Sequence, residues 1–453
     1  MGIIGSFIVW SMIDLPMELV QSPAAAGFSE AAFARFLNER DEPAWLTERR
    51  REAFARFQSL SWPKTSDEEW RRTDIRGLRL DDFSPPRGDQ SALDSLDQPG
   101  ALRSSLVGHG AVGLEHRDGG LSRPAEAAPL KGAILLDLAQ AAREHPDLVK
   151  RHLFNPPVAA GEDLFGALHA AFWTSGTFVY IPRGVELETP LYSVIGLSGG
   201  GCDLSHTLVV LEEGARAVVA REMVGLDGDA PALHAGGLEI VVSDRARLEI
   251  VDIQNWSQST WHFSNEHARL GRESALNWTV GGLGSRLAKV NQEVVLDGSG
   301  SSARVNGILF TTGRQHLAYS TRQEHRAPHT TSDLLYKGGL KDRSRIVWKG
   351  MIRVEKEGQR TDAYQRNDNL ILSDRARADS IPGLEIEAND VRCTHGATAG
   401  RVDEEMIFYA QARAITRDQA IRLIVQGFFS SVLDRIGVET AREILRDAVA
   451  SKI

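Results

Sequence analysis

The amino-acid sequence predicts a mainly β fold, a parallel β-helix between an N-terminal helical domain and a small C-terminal helical domain. From residue 176 to 401, short β-prone runs alternate with Gly, Asp and Asn, which favour turns. Similar runs recur there every 28 to 31 residues. The final part of the chain instead carries apolar residues at helical spacing. We therefore divide the chain into residues 1–160, helical or mixed, residues 161–402, the β-helix, and residues 403–453, helical.

The internal repeat is the strongest indication of a β-helix. Its runs start at Gly214 (GARAVV), Arg245 (RARLEI), Ser274 (SALNWT) and Ser302 (SARVNG). This period suits a coil of three short strands and three turns at ordinary strand lengths. Stacked coils pair edge to edge and bury one continuous core. A propeller blade needs about 40 residues and a WD or kelch signature, and the sequence has neither.

Amphipathic segments predict helices in the N-terminal part. Ser29 can cap a helix that carries Phe33 and Phe36 on one face, and a second segment follows Pro43. Residues 163–173 are periodic enough for a further helix. We expect all of these helices to pack on the core and not to form ligand sites.

The last helices carry the widest apolar stripe of the chain. Thr416 and Gln419 have the spacing of a capping box. Five residues of the stripe are candidate partner-binding residues: Ile421, Ile424, Val425, Phe428 and Phe429. Most of the stripe is expected to be core. Because two terminal helices with so wide a stripe must pack on something, they can cap the β-helix, dock a partner or do both.

Composition limits the kinds of partner and chemistry. With a net charge of −9, the chain is not expected to bind nucleic acid, which requires a basic surface. Cys202 and Cys393 are the only two cysteines, which argues against a disulfide framework and favours a reducing cytoplasm. Two thiols also cannot hold a four-cysteine cluster. Any metal centre must therefore use other ligand types or be shared with another chain.

The first residues do not predict a membrane segment. The apolar run 2–10 is too short to span a bilayer, and it lacks the basic start and the cleavage site of a signal peptide. Either Met1 or Met17 can be the initiator. We therefore expect a soluble, cytoplasmic protein that does not bind a membrane.

The segment NDVRCTHGATAG, residues 389–400, places Cys393 and His395 two positions apart. In an extended strand, such residues point to the same face. A thiolate and an imidazole on one face can bind a soft metal or carry sulfur. The alternative is a buried cysteine beside a structural histidine, since free cysteines usually lie in the core. From these residues alone, both interpretations stay open.

Two other patterns give weaker support to a catalytic function. Gly-rich stretches from Leu197 and Gly281 lack the spacing of a phosphate-binding loop, so we expect turns there and no nucleotide bound by this chain. Carboxylates on adjacent coils can act as general acid and base on a polysaccharide. The candidates are Asp362, Asp368, Asp374, Asp379, Glu385 and Glu387. They equally suit turns and solvated strand faces, and we identify no secretion signal that would bring the chain to such a polymer.

Histidines also recur in the predicted β-helix, without a chelating helix pattern. They are His262, His267, His316, His325 and His329. Each is expected to be a hydrogen-bonded side chain on a wet β face. As a set, they leave open a histidine-lined face near an iron site.

Three longer stretches resemble a known family. FVYIPRGVELETPLY, residues 178–192, resembles the entry strand of SufB and SufD, the scaffold subunits of the sulfur-mobilisation system for iron–sulfur cluster assembly. Residues 359–415 resemble the SufD core signature almost continuously, and residues 419–428 match the helix that this family places next. The likeness covers roughly the last 280 residues. The stretch EEWRRTDI, residues 68–75, extends it more loosely into the N-terminal third.

The resemblance implies a right-handed parallel β-helix and a scaffold without catalytic residues. Subunits of the SufD type pair with a SufB-type subunit and bind the ATPase SufC through their C-terminal helices. A homodimer is the expected alternative when SufB is absent. The resemblance further implies a transient iron–sulfur cluster or iron shared with the partner, with His395 and Cys393 as candidate ligands at the interface. Dimerisation of the ATPase is expected to rearrange the scaffold pair so that a cluster can form.

Two features distinguish the SufD role from the SufB role. In SufB-type subunits, the sulfur-accepting cysteine lies in the stretch here written AYQRNDNLIL, where this chain has Asn367 and no cysteine. The form C-x-H-G-A-T at residues 393–398 is that of SufD-type subunits. We therefore expect the SufD role, with a SufB-like scaffold and a carbohydrate-active β-helix enzyme as alternatives. Cys202 has no support from the resemblance and is expected in the core.

Overall fold

The computed structural model describes residues 27–86, 106, 110–125, 130–155 and 163–453. The proposed start sites, Met1 and Met17, and the apolar run 2–10 lie outside the described residues. Within the described residues, no helix is both long enough and apolar enough to cross a bilayer. The chain there forms a long β-helix with helical segments before and after it.

The helices of the N-terminal half are α1 (Glu30–Asn38), α2 (Ala44–Ser59), α3 (Leu138–Glu144), α4 (Pro146–His152) and α5 (Leu164–Phe172), with a short 3-10 turn at Leu80–Asp82. The hydroxyl of Ser29 accepts a hydrogen bond from the N–H of Ala32, which confirms the predicted cap. The ring of Phe33 stacks on Phe54 at 4.1 Å between centroids, and both rings contact Phe172 edge-on. These aromatic contacts join α1, α2 and α5 into one packed layer.

The strands are β1 (Val112–Arg117), β2 (Gly120–Arg123), β3 (Ile134–Asp137), β4 (Gly176–Ile181), β5 (Leu191–Leu197), β6 (Cys202–Asp203), β7 (His206–Leu211), β8 (Arg216–Gly225), β9 (Ala232–Val242), β10 (Arg247–Asn255), β11 (Thr260–Leu270), β12 (Ala275–Gly282), β13 (Leu287–Leu296), β14 (Ser302–Thr311), β15 (His316–His325), β16 (Thr331–Leu340), β17 (Arg345–Val354), β18 (Asp362–Ile371), β19 (Arg377–Ile386) and β20 (Arg392–Arg401). Sheet one has the order β2-β1-β5-β8-β10-β12-β14-β16-β18-β20. Sheet two has the order β19-β17-β15-β13-β11-β9-β7-β4-β3, and β6 pairs with β9. Strands from β8 to β20 alternate between the sheets, and their pairings within each sheet are parallel, so the predicted parallel β-helix is confirmed.

The coil differs in detail from the predicted one. It consists of two strands of 8 to 11 residues and two turns, not of three short strands. The repeat length could not distinguish the two, because both arrangements need about thirty residues. The repeat itself is confirmed, because its four runs lie on the neighbouring strands β8, β10, β12 and β14. In that sheet Arg247 pairs with Arg216 and Ala275, and Ala275 pairs with Ser302.

The same corner of successive coils is made by a residue in the left-handed conformation. These residues are Gly214, Arg245, Glu273, Gly300, His329 and Arg360, with φ between 56° and 74°. Such a backbone costs a non-glycine residue roughly 1–2 kcal/mol. Four of the six are not glycine, so the stacking of the coils imposes this turn geometry against local preference.

Strands also come from the segment that precedes residue 161. There β1 pairs with β2 and β5 in sheet one, whereas β3 adds to β4 in sheet two with antiparallel pairing. The hydrophobic core lies between the two sheets and runs through the coils. Its largest side chains, Trp278, Trp348 and Tyr336, are fully buried.

The C-terminal helices are α6 (Glu404–Gln411), α7 (Arg417–Leu433) and α8 (Glu439–Lys452). Thr416 and Gln419 form the predicted capping box. The ring of Phe429 on α7 packs near Phe310 of β14, and Lys337 of β16 donates a hydrogen bond to the carbonyl of residue 428. On α8, Leu445 belongs to the same apolar cluster and Lys452 donates a hydrogen bond to the carbonyl of residue 283. The helices α7 and α8 therefore lie on the outer face of sheet one, and most of β20 stays exposed.

Candidate functional site

The β-helix ends in two strands that are each paired on one edge only. Among the described residues, β20 pairs with β18 alone and β19 pairs with β17 alone. Most side chains of β20 are exposed, and Leu384 and Ile386 of β19 are exposed as well. An edge strand presents unpaired N–H and C=O groups, and soluble proteins normally shorten, charge or cover such edges. Two ten-residue edges side by side form a surface, here called the open end, that can accept another chain.

Cys393 and His395 both lie on β20 at this open end. Their neighbours in register on β18 are Ala363 and Gln365, which are buried inside the coil. Because side chains at the same register position stack along a parallel sheet, both point toward the interior of the β-helix. The sequence-based prediction that they share one face agrees with this register.

The two side chains differ in their surroundings. Cys393 is half-buried and packs at the edge of a small apolar cluster formed by Ile352, Val354, Ala363 and Ala388. Burial, and then the nearby Asp362 carboxylate, raise the pKa of the Cys393 thiol, while the N–H of residue 363 partly offsets them. The thiol is therefore protonated at neutral pH, and a metal ion or a positive group from elsewhere is needed to form the thiolate.

His395 is exposed, and it forms no hydrogen bond or ion pair within the part of the chain that the structure describes. The imidazole is therefore free to bind an external group. Within the same described ranges, no three His, Cys, Asp or Glu side chains are arranged to hold a metal ion. A metal site at the open end would therefore need ligands beyond Cys393 and His395.

Polar amides line the coil directly beneath the site. Asn367 of β18 accepts hydrogen bonds from the amide of Asn369 at 2.7 Å and from the hydroxyl of Ser380 at 2.6 Å. The amide of Gln365 donates to the carbonyl of residue 383 at 2.9 Å. These bonds join β18 to β19 across the interior and fix the floor of the open end. Asn367 is a buried, hydrogen-bonded amide and has no nucleophilic atom.

Most of the other residues singled out from the sequence have structural partners. Five of the six candidate carboxylates form ion pairs with arginines: Asp368, Asp374, Asp379, Glu385 and Glu387. His262 lies 2.8 Å from His234, and His325 bonds to Thr330 and Ser332. Burial lowers the pKa of His316 to about 4, so this side chain is neutral at physiological pH. Cys202 is buried in the core beside Leu204 and Leu233, as expected.

The apolar stripe of α7 is divided between core and surface. Val425 and Phe429 are fully buried against sheet one, and Ile421, Ile424 and Phe428 are half-buried beside them. The exposed apolar side chains of this region lie elsewhere, on α6 and on the opposite face of α7: Met406, Phe408, Tyr409 and Leu423. We call these four residues the apolar ridge. Helical periodicity did not predict the ridge, although the run MIFY at residues 406–409 is too long to be buried by one helix face.

Comparison with known proteins identifies the family. The family model described as "SUF system FeS cluster assembly, SufBD core domain" matches residues 195–428, and "SufBD protein N-terminal region" matches residues 122–192. The chain belongs to the SufBD family. The core match runs from β5 to α7, so it contains both the open end and the exposed Met406 to Tyr409 segment.

Three relatives illustrate the similarity across the SufBD family. The iron–sulfur cluster assembly protein SufD of Bacillus subtilis is 26% identical over 430 residues, which cover 92% of this chain and 96% of that protein. A SufBD family protein of Staphylococcus saprophyticus is 26% identical, covering 93% of this chain and 92% of the relative. A SufBD family protein of Mycobacterium tuberculosis is 34% identical over 290 residues, covering 62% and 72%. The chain is therefore a SufD homologue, and its similarity to the B. subtilis protein extends over nearly the whole length of both chains.

Proposed function

We propose that this chain is a non-catalytic scaffold subunit on which an iron–sulfur cluster is assembled together with a second, SufB-like subunit. The observation that carries the proposal is the open end of the β-helix, where Cys393 and His395 lie on an unpaired edge strand. SufBD family relatives are named as iron–sulfur cluster assembly proteins, which supports the same conclusion.

Pairing with the partner takes place through β19 and β20. Each strand has ten residues, and a strand of that length spans about 33 Å. A partner strand added to either edge would satisfy its free backbone groups and cover Leu384 and Ile386. A partner with a similar open end is the best fit, because two coils of equal width then stack as coils stack within one chain.

The shared site forms where the two open ends meet. Cys393 supplies a thiol that becomes a good ligand once a metal ion displaces its proton, and His395 supplies an imidazole. Two ligands hold iron or a cluster weakly, and the partner supplies the others. Such a divided site suits assembly and release, because separation of the two chains removes half of the ligands.

The apolar ridge is the proposed binding surface for the ATPase SufC. Phe408 and Tyr409 are exposed on α6, and Leu423 is a further exposed apolar side chain on α7, the next helix. Exposed large apolar side chains that cluster on one surface are characteristic of binding sites. The candidate residues Ile421, Ile424 and Phe428 can contribute at its margin, whereas Val425 and Phe429 act by holding α7 in place.

Co-purification with the partners tests the scaffold role. We expect the tagged chain, expressed with SufB-type and SufC-type subunits, to retain both through size-exclusion chromatography. His395→Ala should keep the complex but reduce cluster formation, measured as visible absorbance and iron content after anaerobic reconstitution. His329→Asn is a matched control, because His329 is also exposed but lies in a turn with positive φ that Asn tolerates.

The outcomes separate the alternatives. A chain that elutes alone would refute the scaffold role. Unchanged absorbance of the His395→Ala complex would remove His395 from the site without affecting the scaffold assignment. A persulfide found on Cys393 by mass spectrometry would instead assign sulfur acceptance, the SufB-like role, to this chain.

A further inference from the structure

A cavity of about 940 Å³ lies where the last coils meet the C-terminal helices. Its walls come from three successive turns of the β-helix, from the end of β20 and from α6 and α7. The charged side chains that line it are Arg314, Arg343, Arg375, Arg401, Arg417, Asp342, Asp374 and Glu404. Five arginines face three carboxylates, so the lining is positive in a chain whose net charge is −9. Its volume is in the range of sites that hold small molecules.

Three of these arginines occupy the same position on successive coils. The strands that follow them start at His316, Arg345 and Arg377, which are register partners, and each arginine lies two residues before that start. Arg314, Arg343 and Arg375 therefore form a ladder, with neighbouring rungs about 4.8 Å apart.

Hydrogen bonds donated by backbone N–H groups between the turns fix this ladder. The N–H of Arg343 donates to the carbonyl of Gly313 at 2.9 Å, and the N–H of Asp342 donates to the hydroxyl of Ser373 at 2.9 Å. The N–H of Gly313 in turn donates to the Asp342 carboxylate at 2.8 Å. The arginine side chains thus project from a rigid, stacked corner.

The carboxylates of the cavity do not neutralise the ladder. Asp374 pairs with Arg401 at 2.7 Å, and Glu404 forms two bonds to Arg417. Asp342 accepts the backbone bond already described and keeps its charge beside the ladder, so one carboxylate faces three guanidiniums there. Within the described ranges, none of the three ladder guanidiniums forms an ion pair, although like charges at this spacing repel one another.

Apolar side chains also line the cavity. Ile407 of α6 is buried, and Ile421 of α7, Leu372 and Val402 line the same space. The cavity therefore combines fixed positive charge with some hydrocarbon. Its lining is more polar than apolar, which suits a small, highly charged ligand.

We propose that this cavity binds a small molecule with two or more anionic groups, phosphoryl or carboxylate. A planar guanidinium forms two parallel hydrogen bonds with either group. The first and third rungs are about 10 Å apart, so one oxyanion cannot reach all three guanidiniums. A ligand with several linked oxyanions can reach them, and its hydrocarbon part can contact the isoleucines. Such a site needs no phosphate-binding loop, so the absence of that motif from the sequence does not exclude it.

Isothermal titration calorimetry of the purified full chain tests this site. The multivalent probes are pyrophosphate and citrate, and the single-group controls are inorganic phosphate and acetate, all at one ionic strength. We expect at least one multivalent probe to bind at least tenfold more tightly than its single-group control. Preference for pyrophosphate or for citrate then distinguishes a phosphorylated ligand from a polycarboxylate.

The variants locate the binding on the ladder. Arg343→Gln, the middle rung, should weaken binding at least tenfold, and Arg314→Gln should weaken it as well. Arg247→Gln is the matched control, because Arg247 is an exposed arginine on β10 outside the cavity. All three side chains are exposed, so the melting temperature should not change. Equal binding by Arg343→Gln and Arg247→Gln, or no preference for multivalent probes, overturns the proposal.

Discussion

Replacement of Phe429 by alanine tests which part of the α7 stripe is core. The side chain is 1% exposed and packs against Phe310 and Phe428, with centroid distances of 6.2 and 5.1 Å. Phe→Ala substitutions in cores cost about 3–5 kcal/mol, because the cavity adds to the lost transfer free energy. Here the cavity should persist, since Gly339 beneath the ring has no side chain to fill it. We therefore expect a loss of about 4–5 kcal/mol, the upper half of that range.

Phe408→Ala is the matched control on the apolar ridge. Its side chain is 74% exposed, so truncation should change the free energy of unfolding by less than about 0.5 kcal/mol. If the ridge binds SufC, the same substitution should weaken that binding at least tenfold. We therefore expect Phe429→Ala to lower the stability of the fold and Phe408→Ala to weaken the binding of SufC.

Two measurements separate these phenotypes. Urea unfolding of the isolated variants, followed by circular dichroism, gives the midpoint and slope of each transition. Titration of each folded variant with SufC gives the affinity. We expect a lower urea midpoint for Phe429→Ala only, and weaker binding for Phe408→Ala. Loss of SufC affinity by Phe429→Ala with an unchanged midpoint would refute the assignment of this ring to the core.

Two further predictions concern pH and the open end. Burial lowers the pKa of His325 to about 4, whereas an unfolded histidine has a pKa of about 6.5. The unfolded chain therefore binds a proton first, and the free energy of unfolding should decrease as the pH falls from about 6.5 to about 4. For this residue the loss is at most about 1.4 kcal/mol per pH unit. His325→Gln should flatten the dependence of the urea midpoint on pH, and an unchanged slope would exclude this residue as the source. On β20, the N–H of Arg392 bonds to the carbonyl of residue 361 of the preceding coil, so in a parallel ladder the N–H of Ala397 faces outward. Ala397→Pro should therefore preserve the melting temperature and weaken pairing with the SufB-type partner, whereas Thr394→Pro, which removes a bond to β18, should destabilise the fold itself.

Most coils of the β-helix and its C-terminal end could be predicted, because the sequence signals for turns and strands are local. The strands β1 to β3, which extend both sheets, lie before the predicted boundary at residue 161. Turn-forming residues and β-prone runs begin at residue 176 and end at 401, and β4 starts and β20 ends at those positions. The capping box of α7 was equally clear, because it depends on two residues three positions apart. Structural elements that depend on residues close in sequence, such as turns, strands and helix caps, could thus be predicted without the structure.

Structural details that depend on the stacking of coils could not be predicted from the sequence. The number of strands per coil does not alter the repeat length, so the period could not decide between two and three. Left-handed turns at Arg245 and Glu273 contradict local preference and arise only because neighbouring coils stack. The arginine ladder likewise requires the register, since its members are separated by 29 and 32 residues and lie in unremarkable turns.

In the candidate site, too, some properties follow from nearby residues in the sequence and others only from the stacking of the coils. That Cys393 and His395 share a face follows from their spacing, but their different exposure follows from the position of β20 at the end of the stack. The raised pKa of the Cys393 thiol comes first from its burial and then from Asp362 of the neighbouring strand, thirty-one residues earlier in the chain. The apolar stripe shows the same limit. Helical periodicity identified its members, but only the packing on sheet one distinguishes the fully buried Phe429 from the half-buried Phe428.

The proposed partner surfaces are connected through the backbone. The strand β20, which carries Cys393 and His395, is joined to α6 by only Val402 and Asp403. The helix α6 carries Phe408 and Tyr409 of the apolar ridge, and its buried Ile407 anchors it to the rest of the chain. Because β20 is held by hydrogen bonds along one edge only, it is the strand that a displacement of α6 can move at the smallest cost. Binding of an ATPase subunit at the ridge would therefore act first on the strand that holds the two candidate ligands.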